Sequence, residues 1–364
     1  MIQKKNSSKP VAVWLLIGVG MLIVQIILGG ITRLTGSGLS ITEWDVLTGT
    51  LPPLNEQSWL VEFEKYQQTP QYRLLNTDFR LKDFKFIFFW EWLHRFWARL
   101  IGVVFLIPFI IFLIQRRFRA DMIGPLIILF LLGALQGAVG WIMVESGLDG
   151  NAIYVKPTRL ALHFIFAMGL LCYTFWFALK LCVKEKDYLH PSSQRKFTIV
   201  ILVLLAVQLI FGALMAGHKA APAAPTWPGI NGNFIPVYVF NRPEGLRSLI
   251  ENPIVIHFVH RMLAYLLVIL IIIWTVKAYS KKTSTLFAQI RMLPLVFALL
   301  QLVLGIFTVL TSVNIRAARW NTFEWMAQLH QVVAMLLLLS LVFVLLVQRK
   351  RFVKQLNGID TPVI

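Results

Sequence analysis

A chain of 364 residues that is 57% hydrophobic and only 14% charged carries more apolar surface than a water-facing globule of that length can bury, which excludes an ordinary soluble domain. The net charge of +18 and a pI near 10.2 would suit a nucleic-acid binder, but the basic residues fall in short segments between apolar runs, which excludes that reading as well.

Eight apolar runs are long enough to cross a ~30 Å hydrocarbon core as helices. They are Val11–Gly29, Phe86–Ile114, Ile123–Val144, Leu160–Leu181, Phe197–Ala216, Ile254–Val276, Leu293–Ser312 and Trp325–Val347. Lys4, Lys5 and Lys9 precede the first run, and Arg116, Arg117 and Arg119 follow the second. Lys180, Lys184, Lys186, Arg195 and Lys196 follow the fourth. Lys277, Lys281, Lys282 and Arg291 follow the sixth, and Arg349, Lys350, Arg351 and Lys354 the eighth. Basic residues thus collect on one side, the positive-inside pattern, and both termini are expected to be cytoplasmic. The first run is too long for a cleaved signal and has no small-residue cleavage site, so it is expected to be retained. Cys172 and Cys182 lie along the fourth run and read as packing groups, not as a disulfide or a zinc site.

The chain is an internal duplication. Val24-Gln25-Ile26-Ile27 recurs as Val207-Gln208-Leu209-Ile210, and His94-Arg95 as His260-Arg261. Gln136 and Gln301 match in the third and seventh runs, and Leu162-His163 matches Leu329-His330 in the fourth and eighth. The predicted fold is therefore an all-α membrane protein of eight transmembrane helices, arranged as two pseudo-symmetric four-helix bundles, residues 1–182 and 183–364.

The duplication also sorts the seven histidines: His94, His163, His260 and His330 recur at matched places, whereas His190, His218 and His257 do not. His190 reads as a solvated residue of a cytoplasmic loop. Ionisable groups inside spans are costly and mark function by default. Each half offers one histidine from each of two helices running in the same direction, near the outer face. Two imidazoles so placed can approach a flat macrocycle from opposite sides, giving a bis-histidine heme iron site. Zinc is disfavoured, since neither half adds a cysteine or carboxylate to complete a tetrahedral set.

Arg95 and Arg261 each follow a proposed ligand; they either pair with heme propionates or snorkel to the headgroups. Gln25, Gln136, Gln208 and Gln301 read as polar contacts within the bundles. The halves differ one turn before the first ligand, where Glu91 stands opposite His257. Glu91 is either an acid, base or charge stabiliser beside the first heme or an interfacial glutamate facing water. The outer segment from about Ile31 to Lys85 reads as ordered turns that could cover the first pocket, with residues 217–253 as its counterpart.

GGITRLTGSGLSITEW, LPPL, EWLHRFWARLIG, QGAVGWIMVESGL, KPTRLALHFIFA, FVHRMLAYLL and LHQVVAMLLL, in that order, resemble the heme A synthase family along nearly the whole chain. The resemblance implies an oxidoreductase of the bacterial cytoplasmic membrane. Its substrate would be heme O, whose C8 methyl is oxidised to a formyl group by successive hydroxylations with water as oxygen source. It implies substrate heme between His94 and His163, heme b between His260 and His330, and a functional role for Glu91. It further implies a membrane electron acceptor and contact with a heme O synthase, in a protein that could be a homo-oligomer. The chain departs from one branch of the family in having no cysteine pair in the outer loops, and His257 stands where a glutamine is expected. His260 is taken as the ligand because the repeat aligns it with His94. A non-catalytic di-heme b-type cytochrome and a heme transporter or chaperone are the competing functions.

Overall fold

The computed structural model describes residues 9–43, 50–189, 193–240, 245–280, 283–314 and 320–349. His190, Trp44 at the end of the motif GGITRLTGSGLSITEW, and the basic residues at 4, 5, 281, 282, 350, 351 and 354 lie outside the described residues. Among the described residues every regular element is helical, apart from one isolated bridge between Ile230 and Asn233. That is what a hydrocarbon environment requires, because a helix satisfies its backbone hydrogen bonds within one segment.

In chain order the helices are α1 (Lys9–Leu34), α2 (Glu56–Gln67), α3 (Pro70–Leu75), α4 (Leu81–Ile114), α5 (Ala120–Leu148), α6 (Pro157–Cys182) and α7 (Ser193–Gly217). They continue as α8 (Val237–Phe240), α9 (Ser248–Glu251), α10 (Pro253–Tyr279), α11 (Thr285–Ile290), α12 (Leu293–Thr311) and α13 (Thr322–Val347). Among the described residues eight stretches are long and apolar enough to span a membrane; seven contain the runs read from the sequence, and the seventh, Thr285–Thr311, stops one residue short of Ser312. The second begins at Leu81 rather than Phe86, because Asp83 accepts a hydrogen bond from the Arg80 amide (3.0 Å) and caps an extra interfacial turn. Pro157 and Pro253 each occupy the first turn of a span, where a missing amide proton costs nothing.

The first outer segment departs from the expected run of turns. Asn55 accepts from the Ser58 amide (2.8 Å) and Thr69 from that of Tyr72 (3.3 Å), and these two N-caps start α2 and α3. The helices lay Phe63 and Tyr66 on Phe84, Ile87 and Phe88 of α4, forming an aromatic cluster outside the main core. Burial there pushes the Tyr66 phenol up to about 12.

α1 packs on α4 and α6, and α5 on α6; α7 packs on α10, and α12 on α10 and α13. The two sets meet where α6 lies against α7 and α13 and where α1 lies against α13. α13 is central, with Met335, Leu341, Val344, Leu346 and Val347 fully buried, whereas the apolar window of α4 is peripheral. Gln328 and Gln331 of α13 donate to the carbonyls of Ile27 and Ile26 (3.2 and 2.9 Å), opposite Gly30, whose missing side chain leaves room for both amides. Cys172 and Cys182 are free thiols.

Candidate functional site

The four matched histidines share one local construction. Each faces a glycine of the long helix that precedes its own. A Cβ on Gly29 would stand 3.2 Å from His94 Nε2, one on Gly140 2.9 Å from His163 Cε1, one on Gly212 3.2 Å from His260 Cε1, and one on Gly305 3.0 Å from His330 Cε1. Any side chain there would push on the imidazole, so glycine is what lets each ring lie against its neighbour.

One turn before each glycine is a glutamine. Gln136 Nε2 lies 3.2 Å from His163 Nδ1, Gln208 Nε2 3.4 Å from His260 Nε2, and Gln301 Nε2 3.1 Å from His330 Nε2. Gln25 instead donates to the His94 carbonyl at 3.1 Å.

The rings of His260 and His330 are 6.4 Å apart between centroids and inclined at 73°. An iron between two imidazoles needs a nitrogen on each side at about 2 Å, which sets ring centres roughly 6 Å apart. The Nδ1 atoms of both rings are buried without a hydrogen-bond partner. These residues therefore fit a bis-histidine heme.

Glu91 does not face water. It is 2% exposed, and its Oε2 accepts from the Ser40 amide (2.8 Å), the Ser40 hydroxyl (2.8 Å) and the Ile41 amide (2.9 Å). Its Oε1 accepts from Arg95 at 2.6 Å. Arg95 also donates to the carbonyls of Ile41 (3.1 Å) and Glu43 (3.2 Å), so the pair clasps the outer loop to α4 from both sides. Arg261 does the same for the second loop, donating to the carbonyls of Ala224 (3.2 Å), Thr226 (2.8 Å) and Gly229 (3.1 Å). The arginines expected near propionates are thus turned toward loop carbonyls and do not snorkel outward. His257, the counterpart of Glu91, is fully buried, and both of its ring nitrogens lack a partner.

A cavity of about 580 Å³ opens beside Arg95, with Ile41, Trp141, Lys156 and Arg159 in its wall. Arg159 lies one turn before His163 on α6 and donates to the Ile142 carbonyl at 2.8 Å.

The chain matches the family described as cytochrome oxidase assembly protein over residues 12–342. It is 39% identical over 347 residues to the heme A synthase of Flavobacterium johnsoniae, covering 94% of this chain and 98% of the relative. It is 39% identical to the heme A synthase of a Cereibacter sphaeroides strain, covering 91% and 86%. It is 45% identical over 276 residues to that of Rhodospirillum centenum, covering 74% and 72%. The chain belongs to the heme A synthase family.

In this member of the heme A synthase family, the structure brings Glu91 and Arg95 together and sets His260 opposite His330. What sequence reasoning missed were Gly29, Gly140, Gly212 and Gly305. The signal was present, since each stands four residues after a glutamine of its own span, a spacing that occurs once in each pair of spans.

Proposed function

We propose that this multi-pass membrane protein converts heme O to heme A, oxidising the C8 methyl to a formyl group by successive hydroxylations with oxygen taken from water. The relatives' shared name supports the reaction, and the eight apolar helices support the setting. The substrate is held between His94 and His163 in residues 1–182, and heme b between His260 and His330 in residues 183–364. Bound heme b supplies one-electron transfer. The two halves are pseudo-symmetric bundles, both termini are cytoplasmic, and the heme sites lie toward the outer face. The basic residues after the even-numbered spans support that orientation.

The observation that carries this division of labour is the asymmetry at one matched position. The first half has a buried carboxylate with four hydrogen bonds, and the second has a buried imidazole with none. An ionised carboxylate accepts at about two lone-pair sites on each oxygen, so Oε2, with three donors from the loop, is fully engaged while the loop is closed. Glu91 serves as a fixed negative charge beside the substrate and as the latch of the loop over it. The electrons leave to a membrane acceptor, and a heme O synthase delivers the poorly soluble substrate by direct contact, in a protein able to work as a homo-oligomer.

The test is reversed-phase chromatography of heme extracted from the purified protein, expressed beside a heme O synthase. Heme B together with heme A, or with a hydroxylated precursor of it, supports the enzyme. Heme B alone points to an electron-carrying cytochrome, and intact heme O released unchanged points to a carrier.

A further inference from the structure

The four glutamines carry an unfinished hydrogen bond. The side-chain oxygens of Gln25, Gln136, Gln208 and Gln301 are all buried without a partner, as are Nδ1 of His260 and of His330. A buried carbonyl oxygen left unpaired forfeits its hydration with nothing in return, so one orphan repeated at four matched positions calls for a donor that arrives with something else. A histidine that gives one ring nitrogen to iron carries its proton on the other, and that N–H needs an acceptor.

We propose that Gln136, Gln208 and Gln301 are positioning residues for the iron ligands. With heme bound, each amide oxygen accepts the N–H of the ring nitrogen of His163, His260 or His330 that does not take iron. This rests on the bis-histidine heme reading above. The distances already suit it, because the three amide nitrogens stand 3.1–3.4 Å from a ring nitrogen. A half-turn of the amide exchanges nitrogen for oxygen at the same place. The present polarity, N–H of the amide toward the ring, fits an imidazole whose facing nitrogen is an acceptor; ligation reverses that need, and the amide turns to match. The glycine four residues on holds the ring against the same helix face, so ring plane and proton position are fixed together. Gln136 also donates to the His163 carbonyl at 3.2 Å, but Gln25 reaches only the His94 carbonyl, so one of the two ligands of the substrate iron lacks this restraint on its ring.

An acceptor on the ring N–H makes imidazole a stronger donor and favours ferric iron, which lowers the midpoint potential. The test is a spectroelectrochemical titration of heme b in purified wild type, Gln301→Leu and Gln301→Glu, with heme content measured alongside. Gln301→Leu should weaken heme retention by roughly 10–100-fold and shift the potential upward. Gln301→Glu, a stronger acceptor, should shift it downward; a tenfold change in the ferric-to-ferrous ratio is about 59 mV. Should Gln301→Leu fail to hold heme, Gln208→Glu on the opposite ligand provides the same downward test. Potentials that stay put, or move the same way in the leucine and glutamate variants, overturn the inference while leaving heme binding intact. Wild-type protein without heme b would overturn the functional reading and this inference with it.

Discussion

Replacing Glu91 with glutamine removes a charge without changing shape, and the structure allows the consequence to be sized. One side-chain oxygen remains, but two sets of donors compete for it: the Ser40 and Ile41 amides on one side and Arg95 on the other. Whichever set wins, the new NH2 group confronts the loser. Breaking a buried pair by removing one partner costs about 3–5 kcal/mol, and Arg95 keeps the Ile41 and Glu43 carbonyls as alternatives, which favours the low end. At ~3 kcal/mol the local opening of the loop becomes more frequent by on the order of 100-fold. The measurement is hydrogen–deuterium exchange of the peptide carrying Ser40 and Ile41, in detergent or nanodiscs, together with the heme extracted from each preparation. Faster exchange confined to that loop, with heme b retained and heme A lost, is the expected result. Unchanged exchange would refute the latch, and equal loss of both hemes would mean that Glu91 supports the whole fold rather than the substrate half.

The other expectations are more compact. His330→Ala should strip heme b and leave its Soret band absent, and a variant with full heme content would remove His330 from the ligand set. Gly30→Ala should displace the amides of Gln328 and Gln331 from the α1 carbonyls and cost about 1–3 kcal/mol, read as a lower midpoint in detergent unfolding. Arg261→Ala should free residues 224–229, since four of their carbonyls share that one guanidinium, and proteolysis should become faster there and not at residues 40–43. Lys219 has its ammonium 3.4 Å from the Tyr154 ring centre, and burial, with Arg33 nearby, pulls its pKa down to about 8. Its neutral, nucleophilic form therefore grows in as pH rises through about 8, and amine acylation there should run ahead of the ordinary lysines; labelling that rises only near the usual lysine range would contradict this.

The spans were legible because length and hydropathy alone decide which segments cross a bilayer, and the structure altered only their ends. Asp83 capping a turn before Phe86 is a local hydrogen bond that hydropathy does not register. The four matched histidines stood out because duplication printed them twice, and Glu91 because it broke the pattern. Its two readings differ only in what surrounds the carboxylate. Ser40 and Ile41 stand 51 and 50 residues away in sequence, and only the return of the outer loop brings their amides to it. The arginines show the same limit: a guanidinium one residue past a matched histidine reaches a propionate, a headgroup or a loop carbonyl with equal ease, and the loop's path puts carbonyls against it.

By itself, then, the sequence determined composition-driven matters: the number of spans, the repeat, and which polar groups had to be placed inside. Those follow from the cost of putting polar atoms in hydrocarbon, which each segment meets on its own terms. Tertiary structure decided the partners: which glycine admits which imidazole, how far His260 stands from His330, and where Glu91 spends its four hydrogen bonds. Those depend on the distance between helices, set by side-chain volumes at contacts far apart in the chain, and no local pattern encodes that distance.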